Sequence, residues 1–346
     1  MIKNKKLFAA IIVTVSVLAS TLTFYFWQVF KAPNLNVEGK EKVSLYIPTG
    51  GTYQQMLDSL DAKKLINDHV SFGFLAKFMK LTEGVRPGRY IIKPAMGNRE
   101  LLSKIRLGEQ DPLKLTFNNV RLKEDLIKKI GNRFEFNSAE VVSMLKDPEV
   151  CAKYGFDTTT IMAMFIPDTY LVNWNTTPQK FMGRMKDEYD RFWTPERKAK
   201  AQEIGLTPIQ VSVLASIVQG ETNKNDERPR VAGAYMNRLN TQMPLQADPT
   251  VIFAWRDFTI KRVTDKQTAI NSPYNTYRNV GLPPGPINLP DVKALDAVLN
   301  YEQHKYIYFC AKEDFSGYHN FAESYEDHLR NAKIYQAALT KLKIMR

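Results

Sequence analysis

The feature that most constrains this chain is a long uncharged apolar run close to its start. Leu7–Phe30 contains no charged residue, no glycine and no proline, and three lysines precede it. As a helix, these 24 residues would extend roughly 36 Å, which exceeds the ~30 Å hydrocarbon core of a bilayer. The run therefore predicts one transmembrane helix over residues 7–30, preceded by a short tail, residues 1–6.

The residues that flank this run predict its orientation. Lysine is favoured on the cytosolic side of a membrane, so the tail is predicted in the cytosol and the chain after Lys31 on the outer side. Phe24–Trp27 is an aromatic group typical of a membrane interface. A cleaved signal peptide would have an apolar core of only about 7–15 residues, and Leu18–Ser20 is a poor cleavage site. A buried helix of a soluble protein is disfavoured because no face is polar.

The net charge of the chain limits the kinds of partner it can have. The total is +12, of which residues 1–30 carry +3 and the remaining chain carries +9. No basic run interleaved with aromatic residues occurs in the outer part, which argues against a nucleic-acid partner. A mildly basic surface suits an anionic polymer or a membrane surface, and it is equally compatible with ordinary solvation.

After the apolar run, the spacing of apolar residues alternates between strand and helix periods and predicts an α+β fold. Residues 31–42 are predicted to form a short polar linker, and residues 41–112 a small mixed module that ends at Asp111-Pro112. The predicted elements of this module are strands at Val43–Ile47 and Gly88–Ile92 and helices at Thr52–Lys63, Val70–Met79 and Asn98–Leu107.

Residues 113–346 are predicted to form a larger domain that mixes helices with a few strands. It begins with a strand at Leu113–Val120 and is mostly helical to about residue 240. The other predicted elements are helices at Leu122–Ile130, Ser138–Leu145, Thr177–Phe192, Pro195–Ile204 and Ser324–Lys343, and a strand at Tyr306–Cys310.

A helix that starts at Thr207-Pro208 carries the strongest candidate for a catalytic residue. Threonine as N-cap, followed by proline at the first helical position, is a strong helix start. Val213, Ile217 and Glu221 are spaced i, i+4 and i+8, which places Glu221 on the apolar stripe of this helix. Burial and the negative end of the helix would raise the pKa of this carboxyl. An acid that keeps its proton near neutral pH suits general-acid cleavage of a glycosidic bond.

A second interpretation of Glu221 stays open on spacing alone. The side chain would then point at solvent or form an ion pair with Lys224, Arg228 or Arg230. Gly220 beside it predicts room for a bulky substrate, although glycine near a helix end is also a common terminator.

Two loops further along the chain combine the groups that bind sugars. The first supplies an amide, a carboxylate and a hydroxyl between prolines, and the second supplies aromatic rings and an amide. The candidate substrate-binding residues are Gln246, Asp248, Thr250, Tyr274, Asn275 and Tyr277.

The cysteines and two of the histidines give weaker signals. Cys151 and Cys310 are too few for a disulfide framework, and the sequence leaves open whether they pair or remain free thiols. His319 and His328 precede or begin the last helix, but no third ligand has a suggestive spacing. They are therefore predicted to be packing or hydrogen-bonding histidines, and no metal site and no cofactor are predicted.

Together these segments resemble the YceG-like family, the endolytic murein transglycosylases. The resemblance extends from the apolar run to the C-terminus. The matching runs are Phe165–Tyr170, Leu206–Pro208, Leu214–Val218 with Glu221-Thr222, Val231–Leu239, Leu245–Val251, Tyr274–Tyr277, Gly281–Pro286, Tyr306–Phe309, and His319 with Phe321 and His328.

The chain departs from the family pattern at two places. Gln219 stands where the family usually has a first glutamate, while Glu221, the glutamate before threonine that is catalytic in the family, is kept. Ala163-Met164 replaces the acidic Glu-Gly that the family has before Phe165–Tyr170, which leaves the role of that segment less defined.

The resemblance implies a bacterial cell-wall enzyme on the outer face of the cytoplasmic membrane. Residues 41–112 are then a LysM-like subdomain and residues 113–346 the catalytic domain. The substrate is peptidoglycan, cleaved between N-acetylmuramic acid and N-acetylglucosamine within nascent strands, so that 1,6-anhydro ends form and elongation stops. Peptidoglycan synthases are the expected protein partners.

The resemblance also implies a mechanism that needs one carboxyl group. Glu221 protonates the leaving oxygen and then, as a carboxylate, takes the proton of the sugar's own C6 hydroxyl, whereas an ordinary hydrolase uses two carboxylates. A non-catalytic peptidoglycan-binding scaffold is the alternative. A pyridoxal-phosphate lyase, an older label for the family, is disfavoured by the apolar run.

Overall fold

The computed structural model describes residues 5–118 and 120–341, and internal contacts divide them into two units. Unit 1 contains the chain up to Lys114 together with Arg133–Phe136 and Leu171–Thr177, and unit 2 contains the remainder. Helices predominate, and the strands of the described residues form three two-stranded sheets. The predicted mixture of helices and small sheets is therefore present, as in an α+β fold.

The predicted N-terminal helix is present and runs over Lys5–Phe30, as α1. Its side chains from Leu7 to Trp27 are largely exposed, whereas Val29 near its end is fully buried. Its length and hydropathy make α1 suitable to cross a membrane, either as a retained anchor or as a signal sequence. The first four residues, which belong to the predicted cytosolic tail, lie outside the described residues.

The segment after α1 differs from the prediction. Residues 31–42, predicted to be a polar linker, pack onto unit 1, where Leu35 and Val37 are buried. A β-bridge also joins Pro33 to Gly97. The linker prediction is wrong because it followed the charged residues of the segment, while its few apolar side chains complete the core of unit 1. As a result, α1 continues directly into a folded segment.

Unit 1 is built around an antiparallel strand pair in which Leu45 lies opposite Tyr90. Its elements are β1 (Val43–Ile47), α2 (Tyr53–Ala62), α3 (His69–Phe78), β2 (Gly88–Ile92) and α4 (Asn98–Leu107). The two strands and α4 have the predicted bounds, and the other helices differ from the prediction by one residue at each end. Thr52 caps α2 in a capping box with Gln55, which explains why this helix begins where it does.

Unit 2 is mostly helical and contains one hairpin. Its helices are α5 (Lys123–Ile130), α6 (Ser138–Lys146), α7 (Pro148–Lys153), α8 (Pro178–Phe192), α9 (Pro195–Glu203), α10 (Pro208–Glu221), α11 (Arg228–Asn240), α12 (Asp248–Trp255), α13 (Asp265–Thr268), α14 (Val292–Leu299) and α15 (Tyr325–Lys341). The hairpin joins β5 (Tyr308–Ala311) to β6 (His319–Ala322). The third sheet pairs β3 (Leu113–Thr116) with β4 (Thr169–Val172), and each of these strands has residues in both units.

Two predicted strands have different bounds in the structure. β3 ends at Thr116 instead of Val120. The Val120 carbonyl accepts a hydrogen bond from the N–H of Leu289, so this residue does not extend the pairing of β3 with a neighbouring strand. β5 starts at Tyr308 instead of Tyr306, because the Tyr306 N–H donates to the ring of His304. The last predicted helix, Ser324–Lys343, corresponds to α15, and Lys343 lies outside the described residues.

Helix α10 lies at the centre of unit 2 and ends at Glu221. Its start is the predicted one, with Pro208 in the first turn and Thr207 in a capping box with Gln210. The eight residues Val211–Val218 are all buried, so the helix is covered on every face. It contacts α9, α11, α12 and α14. The core of unit 2 therefore fixes the position at which the Glu221 side chain leaves the helix.

Candidate functional site

The end of α10 opens into a polar cavity of about 410 Å³. Its walls come from α10, α11, the loop before α12, the hairpin and α15. The lining residues are Glu221, Tyr235, Arg238, Leu245, Gln246, Asp248, Tyr277, Phe309, Cys310, Ala311, His319 and His328. All of them belong to unit 2, so one folded unit supplies the whole site.

Glu221 lies in the cavity wall and is held by one strong hydrogen bond. The hydroxyl of Tyr235, on the neighbouring helix α11, donates to Glu221 Oε1 over 2.5 Å. Tyr235 is only 1% exposed and packs edge-on against the ring of Phe309, at 5.6 Å between ring centroids. Because its donor is buried and packed against Phe309, the Glu221 carboxyl has a defined orientation.

Burial raises the pKa of Glu221 to about 7, although the hydrogen bond from Tyr235 acts in the opposite direction. The negative charge of Asp248 raises this pKa further, and the positive charges of His319 and Arg238 lower it. The carboxyl also terminates α10, where the helix dipole disfavours a negative charge. The side chain therefore holds a proton through much of the neutral pH range and still contacts the cavity.

The three cations proposed as ion-pair partners of Glu221 have other partners, so that alternative is wrong. Arg228 is buried and bonds both oxygens of Asp291, at 2.8 and 3.0 Å. Arg230 pairs with Glu302 at 3.0 Å. Lys224 lies over the ring of Tyr318 at 4.8 Å.

Three of the predicted substrate-binding residues line the same cavity as Glu221. Tyr277 donates to Asp248 Oδ1 over 2.5 Å, and burial raises the pKa of Asp248 while this bond opposes the rise. Gln246 is exposed at the cavity wall and has a left-handed backbone, with a φ of 50°, which is uncommon outside glycine. The structure thus brings Gln246, Asp248 and Tyr277 together with Glu221.

The other three predicted substrate-binding residues are not among the cavity-lining residues. Thr250 is fully buried and donates to the Ala247 carbonyl. Asn275 is also fully buried, and its amide donates to the carbonyls of Thr268 and Ile270. Tyr274 packs against Phe253 instead. Thr250 and Asn275 thus bond backbone groups beside Gln246 and Tyr277. Contact of these three side chains with substrate stays a prediction.

Gly220 lines a separate cavity of about 160 Å³ and is not among the residues that line the Glu221 cavity. A Cβ atom at this position would lie 2.7 Å from Cβ of Pro249, the second residue of α12. Gly220 is therefore required for close packing of α10 against α12, which places Asp248 at the cavity wall. On one side α12 fills the space beside Gly220, on the other a cavity is present, and its use by a substrate stays a prediction.

His319 has the hydrogen-bonding role that the sequence favoured. Its N–H and its Nδ1 contact the two oxygens of Glu227, at 2.7 and 2.9 Å. Although burial acts to raise it, the bonds from His319 hold the pKa of Glu227 below its usual value. His328 stacks on Tyr308, and burial together with the charge of Arg238 lowers the pKa of its imidazole. Both cysteines are free thiols, with Cys151 buried and Cys310 in the cavity wall.

Sequence reasoning missed Tyr235 and Arg238 as site residues. Arg238 is 6% exposed and donates to the carbonyls of Ile307 and Leu245, each over 2.6 Å. It thereby ties α11 to the hairpin and to the loop before Asp248. Both residues lie on the face of α11 that turns to the cavity, three positions apart. The sequence signal that could have identified them is the spacing of Tyr235 and Arg238, which places two polar side chains on the same face of α11.

Comparison with known proteins identifies the class. Residues 45–334 match the model of the YceG-like family, so the chain belongs to this family. A crystal structure of a YceG-like protein from Listeria monocytogenes has a TM-score of 0.54 and 26% identity, and the match covers 84% of this chain and 99% of the other.

Two bacterial relatives carry the name endolytic murein transglycosylase. The one from Streptococcus pneumoniae serotype 2 is 25% identical over 332 residues, which cover 86% of this chain and 59% of the relative. The one from Bacillus subtilis strain 168 is 25% identical over 292 residues, which cover 80% of this chain and 81% of the relative. The chain therefore spans about three-fifths of the pneumococcal relative.

Proposed function

We propose that this chain is a membrane-anchored lytic transglycosylase that cleaves glycan strands of peptidoglycan internally, with Glu221 as its acid and base. The observation that carries the proposal is a carboxyl group with a pKa of about 7, held by Tyr235 at the wall of a polar cavity. The names of the bacterial relatives supply the substrate class. Gln246, Asp248 and Tyr277 are the proposed substrate contacts.

In the first step, Glu221 acts as a general acid. It donates its proton to the glycosidic oxygen that leaves C1 of N-acetylmuramic acid, and the C1–O bond breaks as positive charge develops at C1. Because Oε1 accepts the hydrogen bond from Tyr235, Oε2 is the oxygen proposed to carry the proton. The raised pKa keeps that proton available at neutral pH.

In the second step, the same group acts as a base. The Glu221 carboxylate takes the proton of the C6 hydroxyl of the same sugar, and the C6 oxygen bonds to C1. The products are a 1,6-anhydro end and a free 4-hydroxyl on the departing strand, and no water is consumed. The proton of the C6 hydroxyl replaces the one that Glu221 gave to the leaving oxygen, so the acid is regenerated for the next cleavage.

Hydrolysis of the same bond is a second candidate, favoured by one observation. Asp248 supplies a second carboxyl to the cavity that holds Glu221. Two carboxyl groups, one as acid and one as base or nucleophile, are the usual equipment of a glycoside hydrolase. The two reactions differ in the product end, which is anhydro for the transglycosylase and a reducing sugar for the hydrolase.

The location of the enzyme is part of the proposal. We infer that α1 is a retained anchor with its N-terminus in the cytosol and both units on the outer face of the cytoplasmic membrane. Its hydropathy and the lysines before it support this orientation. Unit 1 is proposed to be LysM-like and to bind glycan, and cleavage of nascent strands beside peptidoglycan synthases would terminate their elongation.

Replacing Tyr235 with phenylalanine should move the pH profile of cleavage upward. The hydroxyl of Tyr235 favours the ionised carboxylate, so its removal raises the pKa of Glu221 and preserves the acid form to higher pH. A charge-assisted hydrogen bond corresponds to a shift of about one to two pH units. Cleavage rates measured from pH 5 to 10 test this. Tyr318→Phe, which removes a hydroxyl bonded to the exposed Asp226, should leave the profile in place.

The proposed function is tested with the detergent-solubilised chain and purified, uncrosslinked glycan strands. Shorter strands with 1,6-anhydro ends, identified by mass spectrometry, are the expected products. Strands that bind the protein and stay intact would instead indicate the scaffold, and shorter strands with reducing ends would indicate hydrolysis.

A further inference from the structure

Helix α3 of unit 1 has an exposed apolar face. Val70, Phe74 and Phe78 are 71%, 46% and 68% exposed, and their spacing of four residues places them on one side of the helix. The opposite side, which includes Phe72 and Leu75, is buried in the core of unit 1. Single exposed apolar residues are ordinary on protein surfaces, whereas an aligned row with two phenylalanines indicates a binding surface.

This face continues the apolar surface of α1. The ring of Phe74 contacts that of Tyr25, with centroids 6.1 Å apart, and the ring of Phe78 contacts that of Phe30 at 6.0 Å. Nearby, Phe26 stacks on Phe30. The two helices therefore present one connected aromatic surface, in which Tyr25 and Phe30 are partly buried against the core of unit 1 while Phe26, Phe74 and Phe78 are exposed.

The relative position of α1 and α3 is fixed by packing. Val29 is fully buried in the core of unit 1, and Gln28 donates to Asp68 Oδ2, the N-cap side chain of α3, over 2.9 Å. Both helices belong to unit 1. The depth at which α1 sits in a membrane therefore determines the depth of α3.

The contacts place α3 at the outer end of the proposed span. Tyr25 and Phe30 are five residues apart, or roughly 7.5 Å along the helix axis, and they lie at the end of the apolar run that is remote from the lysines. Phe24, Phe26 and Trp27 in the same stretch are exposed. Aromatic side chains are typical of this level of a bilayer, where apolar and polar surroundings meet.

We infer that the face formed by Val70, Phe74 and Phe78 inserts into the interfacial region of the outer leaflet, so that unit 1 rests on the lipid surface. This inference depends on the proposed anchoring by α1 and is independent of the cleavage chemistry. Lys77, exposed beside Phe78, and Lys31, exposed directly after α1, would meet anionic lipid headgroups. Asp68, the acidic group of this helix, is engaged by Gln28 and by the N–H groups of Val70 and Ser71.

Spin-label accessibility in lipid nanodiscs tests the inference on the full chain. Cys151 and Cys310 are replaced by alanine, and a nitroxide is attached at Phe74→Cys or Phe78→Cys. Ser16→Cys, in the middle of α1, reports the anchor. Leu107→Cys is the matched control, because Leu107 is an apolar residue of unit 1 that is 61% exposed, at the end of α4 remote from the bridge to Pro33. Circular dichroism confirms that each variant is folded.

The expected result is one collision pattern at the three lipid-facing sites and the opposite pattern at the control site. Labels at Phe74, Phe78 and Ser16 should collide several-fold more with oxygen than with a water-soluble nickel chelate, and the label at Leu107 should show the reverse. If the nickel chelate reaches the labels at both α3 sites while the label at Ser16 collides mainly with oxygen, this inference is overturned and the proposed anchoring by α1 still holds. Protection from both reagents would overturn it in favour of a second protein surface. If the nickel chelate reaches the label at Ser16, both the proposed anchoring by α1 and this inference are contradicted.

Discussion

Replacement of Glu221 by glutamine is expected to reduce glycan cleavage by about 10²–10⁴-fold, the usual contribution of a general acid. Glutamine has nearly the same shape, and its amide oxygen can still accept the hydrogen bond from Tyr235. It has no ionisable proton, so it can neither protonate the leaving oxygen nor accept the C6 proton. Cleavage is measured as the rate at which new strand ends form, with the detergent-solubilised chain.

The control is the same substitution at another helix end. Glu203 is the last residue of α9 and is exposed, so Glu203→Gln should cleave at the wild-type rate. Retention of more than about a tenth of the activity by the folded Glu221→Gln protein would contradict the role given to Glu221, since loss of a general acid costs at least about 10²-fold.

The same variant has a stability signature that depends on pH. The pKa of Glu221 rises from 4.5 in the unfolded chain to about 7 in the folded one, so the folded state binds the proton more tightly. Below pH 4.5 the residue is neutral in both states and resembles glutamine. As the pH rises through about 7, the wild type should lose up to about 3 kcal/mol relative to Glu221→Gln, because the buried charge then costs free energy. Urea denaturation at pH 5 and pH 8 measures this difference.

Replacement of Arg238 by methionine should destabilise unit 2 by about 3–6 kcal/mol, because it removes two charge-assisted hydrogen bonds that contribute about 1.5–3 kcal/mol each. The guanidinium is buried, and its two short bonds hold the carbonyls of Ile307 and Leu245. Methionine fills similar space and leaves both acceptors without this donor. The expected result is a lower denaturation midpoint and, because the loop before Asp248 is released, a loss of cleavage.

Arg230, on the same helix, provides the matched control. Its pair with Glu302 is exposed at both partners, so Arg230→Met should change stability by no more than about 1 kcal/mol. Equal effects of the two substitutions would contradict the idea that Arg238 holds the cavity wall together.

The start of α10 and the position of Glu221 were predictable because local chemistry determines them. Thr207 and Pro208 specify a helix start within a few residues, and the apolar run that follows sets its length. The apolar stripe through Val213 and Ile217 identified Glu221, although the structure buries every face of α10. Burial of the preceding turns is enough to direct the end of this helix toward the core.

The partner of Glu221 was not predictable in this way. Tyr235 is fourteen residues further along the chain, and it meets Glu221 only because α10 packs against α11. A tyrosine on a buried helix has the same appearance in sequence whether its hydroxyl bonds a backbone carbonyl or a buried carboxyl group. The same holds for Thr250 and Asn275, whose polar groups suit a sugar equally well but bond backbone groups of their own loops.

The segment after α1 shows the same limit in unit 1. Leu35 and Val37 are two apolar residues in a mostly polar stretch, too few to give a periodic signal, yet both are buried in a core shared with residues 45–105. Their burial connects α1 to the rest of unit 1 through a folded segment, whereas the composition of this segment predicted a linker.

The most direct test of the central claim is cleavage in water enriched in ¹⁸O, with the mass of the new strand ends as the readout. If Glu221 takes the proton of the C6 hydroxyl and the C6 oxygen bonds to C1, the new N-acetylmuramic acid ends are 1,6-anhydro sugars and contain no ¹⁸O. If water attacks C1 instead, with Asp248 as the second carboxyl, each new N-acetylmuramic acid end is a reducing sugar that carries one ¹⁸O atom, and the 4-hydroxyl end stays unlabelled. We predict unlabelled anhydro ends, and labelled reducing ends as the main product would contradict the transglycosylase mechanism.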